Sequence, residues 1–245
     1  MSMEKHVYPA GSRGWVLYVV GDIHGRLDLL RTAHARIAAD KARRDASMRY
    51  AEIYLGDLID RGPNSAGVIA DLIVRAEECP LVLLKANHEI LLERFLGHQT
   101  TLAEWKQLGG VETLMSYGIS PRALRQGGHL LLEEASTRIP SAHRQFLARA
   151  KPFVQIGDYC FVHAGIRPQA PLAEQIIEDL AWIREDFLDW DEPFGFIVVH
   201  GHTPVRTPDF RSNRINLDTG AYMTGNLSVL VIDEYGASLL ENSGN

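Results

Sequence analysis

The chain has 245 residues, with 25 Lys plus Arg against 31 Asp plus Glu and a formal net charge of −6. That length buries a sizeable core unaided, and two cysteines exclude a disulfide scaffold. The acidic balance argues against nucleic-acid binding, and no apolar run nears the ~18 residues that span a bilayer, so neither nucleic acid nor membrane is an expected partner. In chain order, residues 1–14 (MSMEKHVYPAGSRG) lack the apolar stretch of a signal peptide, which predicts a reducing, cytoplasmic location. WVLYVV (15–20) reads as a buried strand that stops at GDIHG. Residues 26–45 read as a helix with Leu27, Leu30, Ala33 and Ile37 on one face and a solvated basic end at 41–44. AEIYLGDLIDRGP repeats the strand-then-loop pattern, 65–78 reads as a helix, and LVLLKANHE as a third strand entering a polar loop. Residues 98–150 carry helical patterning and are expected to form a helical insert or cap within one domain covering 1–245. PFVQIG and YCFVHAG predict a hairpin, a helix follows near 171–187, and FIVVHGHTP, INLDTGA and LSVLVIDE close the chain as strands. Strands alternating with helices predict an α/β architecture, an α+β-like sandwich of mixed β-sheets flanked by helices.

Every polar motif follows a strand, and ligands of α/β sheets gather beyond the carboxyl ends of strands. Five loops are thus expected to converge. GDIHG supplies Asp22 and His24, two apart, which on an extended segment point to one side and reach one ion. GDLIDRG supplies Asp57, Asp60 and Arg61; KANHE supplies Asn87 and His88; YCFVHAG supplies His163; VVHGHTP supplies His200 and His202. Carboxylate, imidazole and amide oxygen without thiolate suit manganese, iron or zinc at a hydrolytic site better than a structural zinc. Two ions sharing a carboxylate can clamp the attacking and leaving oxygens of a phosphoryl transfer, and Arg61 offers a planar fork for phosphate. Singly each motif is ordinary; their order and shared position after strands carry the reading.

GDIHG, GDLIDRGP, NHE, HAG and GHT in this order resemble the calcineurin-like metallophosphoesterases, over residues 18–222. Asp-Arg-Gly after the second motif and His-Glu after Asn resemble the PPP-type serine/threonine protein phosphatases in their small bacterial and phage form, as does WKQLGGVETLMSYG. The resemblance implies two divalent ions, manganese before iron or zinc. Asp22, His24 and Asp57 would bind the first, and Asp57, Asn87, His163 and His202 the second. It implies His88 as the general acid, oriented by Asp60, with Arg61 and, by a looser match, Arg184 holding substrate phosphate. The reaction implied is hydrolysis of a phosphomonoester by direct attack of a metal-bridging hydroxide, the substrate a phosphorylated protein or small phosphoester. His200 falls too early to match a ligand and reads as structural. Ala86 stands where the family carries Gly; a positive φ there would strain it, a negative φ would not.

Two other readings compete. One is hydrolysis of dinucleoside polyphosphates such as diadenosine tetraphosphate, against which Asp60-Arg61 is taken to speak. The other, from a different class, is a metal-binding interaction module without catalysis, against which the intact ligand set and His88 speak.

Overall fold

The computed structural model describes residue 11 and residues 14–240. Two mixed five-stranded sheets lie at its centre. The first takes β10 (Gly236–Leu239), β9 (Val229–Asp233), β1 (Trp15–Val20), β2 (Arg49–Tyr54) and β3 (Leu81–Leu83) in that order. The second takes β4 (Phe153–Ile156), β5 (Tyr159–Val162), β6 (Ile197–His200), β8 (Arg214–Asn216) and β7 (Asp209–Phe210). The α/β expectation of mixed sheets flanked by helices is met. β1, β2 and β3 run parallel, as do β5, β6 and β8, while the outer strands pair antiparallel. The predicted hairpin is the β4–β5 pair. β7 and β10, short and at sheet edges, have no counterpart in the sequence reading.

The period of two along a strand explains the layering. On β1, Val16, Tyr18 and Val20 face a helical layer, while Leu17 and Val19 face the second sheet. Ile53, Leu55, Phe161, Val199, Ile215, Leu217 and Leu230 complete that inter-sheet core. Such residues are worth roughly 1.5–3 kcal/mol each when taken fully out of water. Helices α1 (Leu27–Lys41) and α2 (Ser65–Glu78) cover the first sheet, α1 through Leu30, Ala33 and Ile37 as its periodicity predicts. Asn64 caps α2 by accepting the Gly67 N–H at 2.9 Å. α3 (Asn87–Leu96) starts directly after β3, where the sequence reading had a polar loop.

The segment 98–150 is helical, as expected. It forms α4 (Leu102–Trp105), α5 (Gly110–Ser116), α6 (Pro121–Gln126), α7 (Gly128–Arg138) and α8 (Ser141–Leu147). Trp105, Leu114, Ile119, Leu131 and Phe146 bury into the same core as α1 and α2. The second sheet's outer face is covered by Leu180 of α9 (Ile177–Trp182) and Phe187 of α10 (Glu185–Leu188), shorter pieces than the single helix expected near 171–187.

The basic run 41–44 is not merely solvated. Lys41 and Arg75 both bond the fully buried carboxylate of Glu52, at 2.8 and 2.6 Å, and Arg44 bonds Asp40 and Asp233. A carboxylate buried on β2 needs those partners, and the end of α1 supplies one. Burial alone would raise the Glu52 carboxyl, but the bonds from Arg75 and Lys41 bring it down from 4.5 to about 2. A depressed carboxylate stabilises the fold above its unfolded pKa and loses that contribution as pH falls. Glu52→Gln is therefore expected to cost roughly 3 kcal/mol at neutral pH. In denaturant melts the gap between variant and wild type should close as pH falls from 4.5 toward 2.

Candidate metal centre

The six parallel strands end at one place, where the two sheets meet. β1 is followed by Asp22 and His24, β2 by Asp57, Asp60 and Arg61, β3 by Asn87 and His88, β5 by His163, β6 by His202 and β8 by Asp218. Five of these loops are the expected ones. Holding the polar groups inward bends the backbone: His24, Asp57, Asp60, Arg61 and His202 all have φ between 47 and 71°. Left-handed non-glycine residues cost of order 1–3 kcal/mol each, so neighbours must over-determine them. Glu89 is one such neighbour. Its buried carboxylate accepts the N–H groups of Asp57, Leu58 and Ile59, at 3.1, 2.8 and 3.4 Å. His24 does not lie on an extended segment with Asp22; at φ 47° the chain turns there, and Asp22 points to His202.

The imidazoles are set up as ligands. His24 donates Nδ1–H to the Ile59 carbonyl and His163 donates Nδ1–H to the Leu55 carbonyl, both at 2.9 Å. Each then presents the lone pair of Nε2. His24 Nε2 lies 3.4 Å from Asp57 Oδ2, and His163 Nε2 lies 3.3 Å from Asp57 Oδ1. Asp57 therefore stands between the two rings, one oxygen to each. His163 Nε2 is also 2.9 Å from Asn87 Oδ1, which His202 Nδ1 approaches at 3.2 Å. Within this cluster two buried atoms, Asp22 Oδ1 and His202 Nε2, have no hydrogen-bond partner among the described residues. Gly201 makes room for the first, since a Cβ there would sit 1.9 Å from it.

Buried lone pairs facing one another at these distances repel unless a cation lies between them. Burial and the neighbouring acids push Asp57 and Asp22 well above the usual carboxylate range, and burial also raises Asp218. Burial holds His24 and His163 well below the usual imidazole range and His202 at about 3, so all three are neutral and able to coordinate. The donor set fits divalent metal. Two tight groups emerge, His24 with Asp57 and His88, and Asp57 with His163 and His202, each with its ligand atoms within 4.8 Å of one another. Asp57 is common to both. His88 enters the first group where the sequence reading had Asp22; its Nε2 is 3.7 Å from Asp57 Oδ2, and its Nδ1 is 2.6 Å from Asp60 Oδ2.

Arg61 is half-buried, its guanidinium 4.8 Å from the centre of the Tyr222 ring, which also meets His24 edge-on at 5.3 Å. Arg184 is exposed and donates to Thr203 Oγ1 at 3.3 Å, beside His202. His200, the last residue of β6, packs its ring against Phe187 at 4.9 Å and stands outside both groups, as its structural reading holds. Ala86 has φ −116°, where any residue is at ease, so the missing glycine costs nothing in backbone strain. Sequence reasoning missed Asp218, Glu89 and Tyr222. INLDTGA repeats the strand-then-Asp pattern, which was the available signal for Asp218.

The model of the calcineurin-like phosphoesterase family matches residues 16–232. The chain belongs to that family. It is a metal-dependent hydrolase of the metallophosphoesterase fold, whose centre is dinuclear. The chain is 28% identical over 199 residues to the asymmetrical bis(5'-nucleosyl)-tetraphosphatase PrpE of Anoxybacillus flavithermus, covering 72% of this chain and 73% of that one. To the protein of the same name from Bacillus velezensis it is 25% identical over 247 residues, 92% of each chain. Among solved structures, that of a proposed diadenosine tetraphosphatase superposes with a TM-score of 0.62 at 19% identity, covering 95% of this chain and 97% of that one. A cold-active protein tyrosine phosphatase of a psychrophilic Shewanella species gives 0.55 at 16%, covering 95% and 83%. Both likenesses show the fold.

The shared position of Asp57 generates a test. Metal-stripped phosphoesterase is expected to be inactive and Mn²⁺ to restore it. Asp57→Asn should lower bound metal from about two ions per chain to one or none by elemental analysis. Full turnover in protein shown to be metal-free would overturn this assignment.

Proposed function

We propose that this phosphoesterase cleaves the phosphoanhydride chain of dinucleoside polyphosphates, diadenosine tetraphosphate or a close analogue, asymmetrically. The observation that carries the reading is the match along 92% of both chains to a protein named for that activity. It favours the alternative weighed at the sequence level over the PPP-type protein phosphatase.

The metals, held by His24, Asp57, Asn87, His163, His202 and Asp22, would supply Lewis acidity and make a water acidic enough to attack near neutral pH. Asp22 belongs here because its unpartnered oxygen is buried in the same cluster. The chain's own groups do the rest. Arg61 holds oxygens of the phosphate under attack, its fork aimed by the Tyr222 ring beneath it. Arg184, exposed beside His202, meets a phosphate further along the chain. His88 donates from Nε2 to the departing oxygen, its Nδ1 fixed by Asp60. The P–O bond breaks as water's oxygen joins phosphorus, the departing oxygen takes the His88 proton, and the proton that water gives up passes to solvent, from which His88 is reprotonated.

A second reading, hydrolysis of phosphomonoesters, is favoured by that same 2.6 Å Asp60–His88 contact. A nucleotide leaves as a stable anion and needs little protonation, whereas an alkoxide leaving from phosphoserine needs a proton donor. Mn²⁺-loaded enzyme should therefore be given diadenosine tetraphosphate, a phosphoserine peptide and p-nitrophenyl phosphate. Release of ATP and AMP, with kcat/KM at least about tenfold above that for the peptide, supports the proposal. Preference for the peptide makes it a protein phosphatase instead.

His88→Asn should lower kcat roughly 10²–10⁴-fold on alkyl phosphates and far less on p-nitrophenyl phosphate or the tetraphosphate. The variant should keep its full metal content. Loss of one ion would make His88 a ligand, as its place beside His24 and Asp57 allows.

A further inference from the structure

Both carboxylate oxygens of Asp60 are hydrogen-bonded, and two of its three side-chain donors come from the helical segment 98–150. Trp105 donates its indole Nε1–H to Asp60 Oδ2 at 2.7 Å, the oxygen that also receives His88 Nδ1–H. Thr113 donates its hydroxyl to Asp60 Oδ1 at 2.6 Å and accepts the Asp60 N–H at 2.8 Å. All four side chains, Asp60, His88, Trp105 and Thr113, are within 1% of full burial. The same segment holds the next residue. The Arg61 N–H donates to the Gly109 carbonyl at 3.3 Å, and Gly109, at φ 96°, lies so close that a Cβ would sit 2.3 Å from Arg61 N. The glycine pair in WKQLGGVET thus lets Trp105 and Thr113 reach the Asp60-Arg61 turn from both sides.

We propose that Trp105 and Thr113 are positioning residues for the proton donor, fixing both oxygens of Asp60 and through them the tautomer and aim of His88. The inference rests on the reading of His88 as that donor. A carboxylate bonded only to a histidine can rotate about its χ2 and carry the imidazole with it. Anchored at Oδ1 by a hydroxyl and at Oδ2 by a rigid indole, it cannot, and Nε2 keeps one direction. Asp60 needs such anchoring because its own backbone is left-handed, at φ 71°. The helical segment therefore reaches the chemistry through Asp60, whatever else its outer surface does.

The test uses Mn²⁺-loaded enzyme and the ratio of kcat/KM on an alkyl phosphate to that on p-nitrophenyl phosphate. Thr113→Val removes one donor with little change of shape and leaves the Asp60 N–H to Ser65 Oγ, while Trp105→Phe removes the indole N–H together with part of a buried ring. Each is expected to lower the ratio about tenfold, with p-nitrophenyl phosphate turnover within about twofold of wild type and unchanged metal content. Thr113→Ser, which keeps the hydroxyl, should restore the ratio. A merely structural role would lower both substrates together and leave the ratio unmoved, which would overturn the proposal. His88→Asn is run beside them. If it fails to change the ratio, the donor reading itself falls; if it changes the ratio and Trp105→Phe and Thr113→Val do not, only the positioning role falls. A readout without turnover keeps the test open should Trp105→Phe not fold. In ¹H–¹⁵N spectra of the wild-type protein one indole N–H should lie downfield of the others and move in Asp60→Asn. Absence of any such resonance, like an unmoved ratio in Thr113→Val, counts against the proposal.

Discussion

The carboxylate of Glu89 holds the backbone on which the whole centre depends. It accepts three successive N–H groups from Asp57 to Ile59, the stretch where the chain leaves β2 in a left-handed turn. Without an acceptor there, three buried donors would be orphaned, each at a cost of about 1–3 kcal/mol. Burial pushes Glu89 up to about 7, against the pull of those same bonds. One turn of α3 thus performs three tasks with consecutive residues. Asn87 faces His163 and His202, His88 faces Asp60, and Glu89 holds the loop of β2. A helix beginning at that point, with about 100° between successive side chains, fans three neighbours in three directions within one turn.

The strands that carry the site were legible because they are buried on both faces and so read as apolar runs, and because each apolar run stops at a polar motif. β1, β2, β5, β6 and β9 follow from this alone. β7 and β10 were not legible: two and four residues long at sheet edges, they carry no apolar run to mark them. The ligand types could be read from the sequence, since imidazoles and carboxylates after strands have few other reasons to cluster. Their pairing could not, because it depends on backbone turns. At φ 47° His24 leaves the side that an extended Asp-x-His would share, and Asp22 turns to the β6 loop. The basic run 41–44 failed as a solvated helix end for a related reason: its partner Glu52 sits on β2, and nothing local links them. Asp60's anchors come from 45 and 53 residues away, so their role exists only once the helices have packed.

Burial explains why the centre belongs at the seam of two sheets. A single sheet edge would leave Asp22, Asp57 and Asp218 in water, where like charges a few ångströms apart repel weakly and bind cations weakly. Between two sheets the same acids are desolvated, which raises all three carboxyls, and repulsion from neighbouring acids raises Asp22 and Asp57 further. The nearby cations Arg61 and Arg184 are half-buried and exposed, and their pull on the acids does not offset the desolvation that raises them. Divalent ions resolve the imbalance from inside. A site that is costly when empty returns that cost as affinity when filled, and metal binding becomes part of what stabilises the fold.

The same division separates chemistry from choice of substrate. Everything within reach of Asp57 is fixed by strand ends, by α3 and by buried hydrogen bonds. Arg61, Arg184 and Tyr222, the groups to which the proposed function gives contact with substrate, stand at the rim on loops or short helices. The leaving group is where rim and centre meet. A nucleotide needs little help in departing, so selection for a polyphosphate would place little demand on the Asp60–His88 pair. Yet Asp60 is bonded on both oxygens by a buried tryptophan and threonine, an arrangement with several buried polar groups that would each be costly if left unpaired. That arrangement is what the proposed proton donation by His88 would require, whichever phosphate chain the rim selects.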